Sequence, residues 1–228
     1  MTWSKQTALA RIGDVGLVPI IRTVSAEDAW RAAQAIVAAG IGIVEITMGV
    51  PNAIEVIERI ATQYGDDVLP GAGTILDADT CRAAISAGAE FIVAPNFDTR
   101  VVDATLQCGK VSIPGALTPT ELVTAWHGGA DMIKIFPCGP VGGAQYIRAL
   151  KGPFPQIHFI PTGGITLESI PEFIKAGVAA VGVGGDLLAR RPSRQGEPDA
   201  VGANASALLA AVRSARAANA CRDQPTHG

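Results

Sequence analysis

The feature that most restricts this chain is a junction that recurs along it: a helical, alanine-rich segment ends in glycine and passes at once into a short apolar run. AAGIGIVEI, SAGAEFIVA, HGGADMIKI and KAGVAAVGV are four instances. A helix stopped by glycine and followed directly by a strand is half of a βαβ repeat. Read this way, the sequence holds eight strands, centred on LVPIIR at 17–22, GIVEIT at 42–47, VLPGAGT at 68–74, FIVAP at 91–95, VSIPG at 111–115, MIKIFP at 132–137, IHFIPT at 157–162 and AAVGVG at 179–184. Apolar residues at successive positions mark strands buried on both faces, as parallel strands beneath helices must be. Eight such units in 228 residues predict an α/β fold of the closed (β/α)8 TIM-barrel type rather than an open doubly wound sheet.

The helices between the strands carry their own punctuation. In SAEDAWRAAQAIVAAG, Ser25 is placed to cap, acidic residues fill the first turn and Gly40 ends the run. Residues 1–15 are expected to form a helix closing the bottom of the barrel, and residues 203–218 one packed outside it. One domain over 1–218 is expected, with a loop at 190–203 and a flexible tail at 219–228.

Composition narrows the partners. A hydrophobic content of 48% supplies a large core, so the chain does not need disulfide staples. With 17% charged residues, a net charge of −3 and no Lys/Arg cluster, nucleic acid is not an expected partner. No apolar run reaches membrane-spanning length, and the charged N-terminal segment does not read as a signal peptide; a cytoplasmic location and no membrane partner are the expectation. Cys81, Cys108, Cys138 and Cys221 lack metal-ligand spacing and are expected to serve in packing.

In such a barrel the active site forms at the C-terminal ends of the strands, so polar residues there are the candidates. Lys134, between Ile133 and Ile135 in MIKIFP, shares a face with Met132 and Phe136 and should point into the barrel. Burial disfavours its charged form and favours a neutral amine able to attack a carbonyl. Glu45, in IVEIT, should also point inward and could move protons beside Lys134, or simply pair with it or with Arg22 as a counterion. Arg22, ending the first strand, and the Thr74 hydroxyl could together hold a substrate carboxylate. PTGGI at 161–165, with Thr162, Gly163 and Gly164, and VGVGGDLL at 181–188, with Gly184, Gly185 and Asp186, are glycine-rich turns after the last two strands, where backbone N–H groups can cradle phosphate. Asp186 would repel that phosphate unless its carboxylate caps a helix, which is the expected arrangement.

Together, VEIT, PGAGT, FIVAPNF, IPGALTPTEL, IKIFP, LKGPFPQIHFIPTGGI and AVGVGGDLL resemble the bacterial 2-keto-3-deoxy-6-phosphogluconate (KDPG) and 4-hydroxy-2-oxoglutarate aldolases, with their phosphogalactonate relatives, from about Leu17 to Leu188. The resemblance implies a class I aldolase without cofactor or metal, acting on a small 2-keto acid, typically phosphorylated, as a homotrimer. It further implies that Lys134 forms the imine, that Glu45 is the acid/base through a water, that Arg22 and Thr74 hold the carboxylate, and that Pro95, Phe136 and the glycine turns line the substrate. A branch of the family carries an arginine where this chain has Gly49, which leaves the clamp to Arg22. The motifs leave the gluconate, galactonate and hydroxyglutarate substrates open. A phosphate-binding barrel isomerase or synthase without imine chemistry, or a barrel that only binds, is the more distant alternative.

Overall fold

The computed structural model describes residues 3–188 and 200–222. In chain order, α1 (Lys5–Val15) precedes β1 (Leu17–Ile21), α2 (Ala26–Ala38), β2 (Ile43–Thr47), α3 (Ala53–Tyr64), β3 (Leu69–Gly73), α4 (Ala78–Ser86), β4 (Phe91–Val93) and α5 (Thr99–Gln107). These are followed by β5 (Val111–Ile113), β6 (Gly115–Ala116), α6 (Pro119–His127), β7 (Ile133–Ile135), α7 (Gly143–Lys151), β8 (Phe159–Pro161), α8 (Ile170–Lys175), β9 (Val181–Val183), α9 (Gly185–Leu188) and α10 (Ala200–Arg222). Every strand pairing is parallel.

The predicted strands all appear, but not as one uninterrupted sheet. A six-stranded curled sheet runs β5-β4-β3-β2-β1-β9, and a three-stranded sheet runs β6-β7-β8. The fifth predicted strand is split because Pro114 has no N–H for the ladder. Its carbonyl still accepts from Lys134 N at 2.9 Å, and Gly115 N donates to Asn96 O at 3.2 Å, so the chain passes from one sheet to the other without losing direction. At the opposite seam a single parallel bridge, Thr162 to Gly182, joins the end of β8 to β9.

Side chains sort into two cores according to strand alternation. Val18, Ile43, Leu69, Phe91, Val93, Val111, Ile113, Met132 and Ile160 form an inner cluster, which Ala8 and Ile12 of α1 and the half-buried Trp3 close from below. Val44, Ile46, Ile133 and Ile135 belong instead to the layer between strands and helices.

The helix ends follow their sequence signals. Ser25 accepts from Asp28 N at 3.1 Å, Glu27 and Asp28 occupy the first turn of α2, and Gly40 takes φ +84° beyond its end. Helix α6 starts on a capping box, Thr118 with Glu121.

α10 packs Ala205, Leu208, Leu209 and Val212 into the outer core. Its Arg216 donates to the carbonyls of Asp14 and Gly13, both at 2.6 Å, and of Ala179 at 2.9 Å, fastening it to the end of α1. This helix begins inside the expected loop, since residues 200–203 are helical, and continues through 219–222 of the expected tail. The rest of that loop and tail lie outside the described residues. Cys81 and Cys138 are buried as expected; Cys108 is exposed at the end of α5.

Candidate active site

Because Ile43 and Met132 face inward while their neighbours face the helices, Glu45 and Lys134 take the inner face of β2 and β7. Both are buried, at 2% and 7% exposure. They line one small cavity of about 10 Å3 with Val18, Val93, Ile113, Ile160, Thr162 and Gly182, a space on the scale of a single water. Lys134 Nζ stands 5.0 Å from the centre of the Phe136 ring, over its aromatic face.

Oε1 of Glu45 is buried without a hydrogen-bond partner. Burial raises the carboxyl above its usual value of 4.5, against the opposing pull of Lys134 and then Arg22. A carboxyl held this way keeps its proton to higher pH than an ordinary surface glutamate, as a group that both takes and returns a proton must.

Arg22 follows β1 directly and is exposed at the mouth. Its Nη2 donates to Thr74 Oγ1 at 3.5 Å, and its Nη1 lies 3.5 Å from where a Cβ on Gly49 would stand. The guanidinium therefore occupies the space beside Gly49. Thr74 holds φ +62°, an unusual conformation for a β-branched residue, and this turns it at the end of β3. Below it, the buried Thr47 donates to Ile21 O at 3.2 Å, linking the ends of β1 and β2.

The glycine turns come together on the other side of the mouth. Gly163 and Gly164 take φ +84° and +78°, which lets their backbone lie against Gly139, whose N donates to Gly163 O at 2.8 Å. A Cβ on Gly163 would stand 3.1 Å from the Phe136 ring. Thr162 is 7% exposed and fits because Gly182 has no side chain; a Cβ there would stand 2.3 Å from Thr162 Oγ1. Gly184 packs over Ile20, and Gly185 opens the short helix α9 with nothing within 4 Å of its Cβ position. Asp186 Oδ2 accepts from Leu167 N at 2.9 Å, ahead of the start of α8, reaching to the turn after β8 and tying the two glycine turns together.

Pro95 and Phe136 line a larger cavity of about 450 Å3 together with Asn96, Phe97, Leu117, Thr120, Glu121 and Thr124. Phe136, 37% exposed, thus faces this cavity and also lies near the Lys134 amine. The residues around it were readable as the motifs APNF and ALTPTEL, both at strand ends, but their types carry no reaction of their own. Among the described residues no group of three or more His, Cys, Asp or Glu could hold a metal ion. No described helix is long and apolar enough to cross a membrane.

Comparison with known proteins converges on this geometry. Residues 9–203 match the family described as KDPG and KHG aldolase. The 2-dehydro-3-deoxy-6-phosphogalactonate aldolase of Escherichia coli K12 is 37% identical over 172 residues, 75% of this chain and 83% of that protein. A solved structure described as native KDPGal superposes with a TM-score of 0.81 at 33% identity, covering 95% of this chain and 100% of the other. KDPG aldolase from Legionella pneumophila, captured with pyruvate as a covalent carbinolamine, superposes with a TM-score of 0.75 at 28% identity over 91% of this chain and 97% of its own. With an inward lysine beside a buried glutamate at the mouth of a parallel α/β fold, and with this match over most of its length, the chain belongs to the KDPG and KHG aldolase family.

Proposed function

We propose that the chain is a class I aldolase that cleaves 2-keto-3-deoxy-6-phosphogluconate to pyruvate and D-glyceraldehyde 3-phosphate on a closed (β/α)8 barrel. The observation that carries this reading is the burial of Lys134 and Glu45 around one small cavity, at the end of the fold where Arg22 and the glycine turns also gather.

The unprotonated Lys134 amine adds to the C2 ketone to give a carbinolamine, and loss of water gives an iminium. Glu45, through a water of the size its cavity takes, removes the C4 hydroxyl proton. The C3–C4 bond then breaks, its electron pair passing into the iminium, and the aldehyde leaves. Protonation of the resulting enamine at C3 and hydrolysis return Lys134 and release pyruvate. The iminium is the electron sink, so the cycle balances with the chain's own groups and water. Arg22 and Thr74 hold the keto-acid carboxylate, Phe136 and Pro95 bound the acyl portion, and backbone N–H groups around Thr162, Gly163, Gly164, Gly184 and Gly185 receive the phosphate.

Closure of the barrel is supported by continuity through Pro114 at one seam and by the Thr162 to Gly182 bridge at the other. A cytoplasmic homotrimer of one domain is the form the family resemblance suggests. The phosphogalactonate substrate is a second reading, favoured by the 37% identity to the E. coli enzyme that carries that name; 4-hydroxy-2-oxoglutarate is a third. Cleavage rates of the three compounds, followed by pyruvate release, decide among them. The aldolase reading requires at least one to turn over and Lys134→Ala to abolish it; no release from any of them would overturn it.

A further inference from the structure

On the inner face of β3 the side chains disappear toward the mouth. Leu69 contributes to the inner core, but the next two positions on that face are Gly71 and Gly73. Each absence makes room for one neighbour. A Cβ on Gly71 would stand 2.1 Å from the Phe91 ring of β4. The three atoms nearest to a Cβ on Gly73 would all belong to Glu45: Oε1 at 1.9 Å, Cδ at 2.6 Å and Cγ at 2.9 Å. Gly73 has no positive φ to account for it, and its carbonyl accepts from Met48 N at 2.8 Å in an ordinary ladder. Its glycine identity is therefore explained by the Glu45 side chain and by nothing in its own backbone.

We propose that Gly73 is a positioning residue for the reaction: its missing side chain seats the Glu45 carboxyl against the backbone of β3. This inference rests on the reading of Glu45 as the acid/base. The three nearest atoms in the way belong to one flexible side chain, so a methyl group at residue 73 displaces the carboxyl before the strand. The open direction is the cavity it shares with Lys134. Among the described residues the charges acting on Glu45 are Lys134 on β7 and Arg22 after β1, and both favour its ionised form. A displaced carboxyl moves toward those charges and loses the seat in which burial keeps it protonatable.

The test is Gly73→Ala in the full chain. We expect it to fold, to trap pyruvate on Lys134 with borohydride at a rate within about threefold of the parent, and to lose roughly 100-fold or more in kcat, the scale of general acid–base catalysis. The acid limb of its pH–rate profile should move to lower pH. A kcat within twofold of the parent, or a lower kcat with an unmoved acid limb, overturns the proposal.

If Gly73→Ala instead lowers the melting temperature, the same substitution in a Glu45→Ala background decides the matter. The contact reading requires the loss to vanish there, and an equal loss in both backgrounds contradicts it. Full turnover by Glu45→Ala would sink the acid/base reading itself, whatever the stability cycle shows about the contact.

Discussion

The guanidinium of Arg22 reaches from the end of β1 past the end of β2 to the hydroxyl of Thr74 just after β3, with 3.5 Å between Nη2 and Oγ1. Three adjacent strands thus share one cationic group at the mouth, and Gly49 leaves the space for it. If this group holds the keto-acid carboxylate, Arg22→Ala removes a charge-assisted bond worth ~1.5–3 kcal/mol and raises KM roughly 10- to 100-fold, with a smaller effect on kcat. Steady-state kinetics check this. Adding Gly49→Arg to Arg22→Ala should restore part of the affinity from the neighbouring position; no increase in KM on losing Arg22 would remove it from the clamp.

Thr74 offers a test that separates function from stability. At φ +62° a β-branched residue costs ~1–3 kcal/mol, which glycine avoids while giving back ~0.5–1 kcal/mol through a freer unfolded chain. Thr74→Gly should therefore keep or raise the melting temperature while raising KM, because the hydroxyl that orients Arg22 is gone. A clear loss of thermal stability would show that the strained conformation is held by more than it costs.

Burial of Glu45 sets the sign of a pH effect. Its carboxyl lies above the usual 4.5 in the fold, so the folded chain binds this proton more tightly than the unfolded one. That contribution is fully present below the ordinary value and is lost as pH rises through the raised one. Glu45→Gln cannot ionise, so its melting temperature should match the parent at low pH and exceed it above the raised value. The acid limb of kcat/KM in the parent should likewise fall above 4.5. In the glutamine variant pyruvate trapping should survive in part while turnover collapses; equal loss of both would argue against proton transfer by this residue.

Asp186 separates charge from geometry. Its carboxylate accepts from Leu167 N at 2.9 Å and so joins the two glycine turns, yet its charge opposes a phosphate. Asp186→Asn keeps an acceptor and drops the charge, whereas Asp186→Ala loses both. Affinity for phosphorylated aldehyde in the synthetic direction should hold or improve in the asparagine variant and weaken by about 3- to 10-fold in the alanine variant, the scale of one hydrogen bond. Unphosphorylated glyceraldehyde should be affected little by either. Equal losses for both aldehydes would place Asp186 outside the phosphate end.

Alternation made the inward direction of Lys134 and Glu45 legible, since a residue between two helix-facing aliphatic neighbours has one other face to take. Strand positions were legible for the same reason, from apolar runs bounded by glycine. The split at Pro114 was written in the sequence as well, but a proline at a strand end and one that divides a strand look alike until the neighbouring pairings are known. The fit of Gly73 to Glu45 and of Gly182 to Thr162 could not be read, because each depends on register between strands and not on spacing within one. The Leu167 partner of Asp186 was hidden for the same reason, as the two are 19 residues apart and meet only through packing of successive βα units.

Reduction with borohydride in the presence of pyruvate, followed by peptide mass mapping, tests the central claim most directly. The account predicts one reduced pyruvate per chain, carried on Lys134, and none in Lys134→Ala. Protein left unmodified under conditions where it releases pyruvate, or an adduct found only on other lysines, would contradict it.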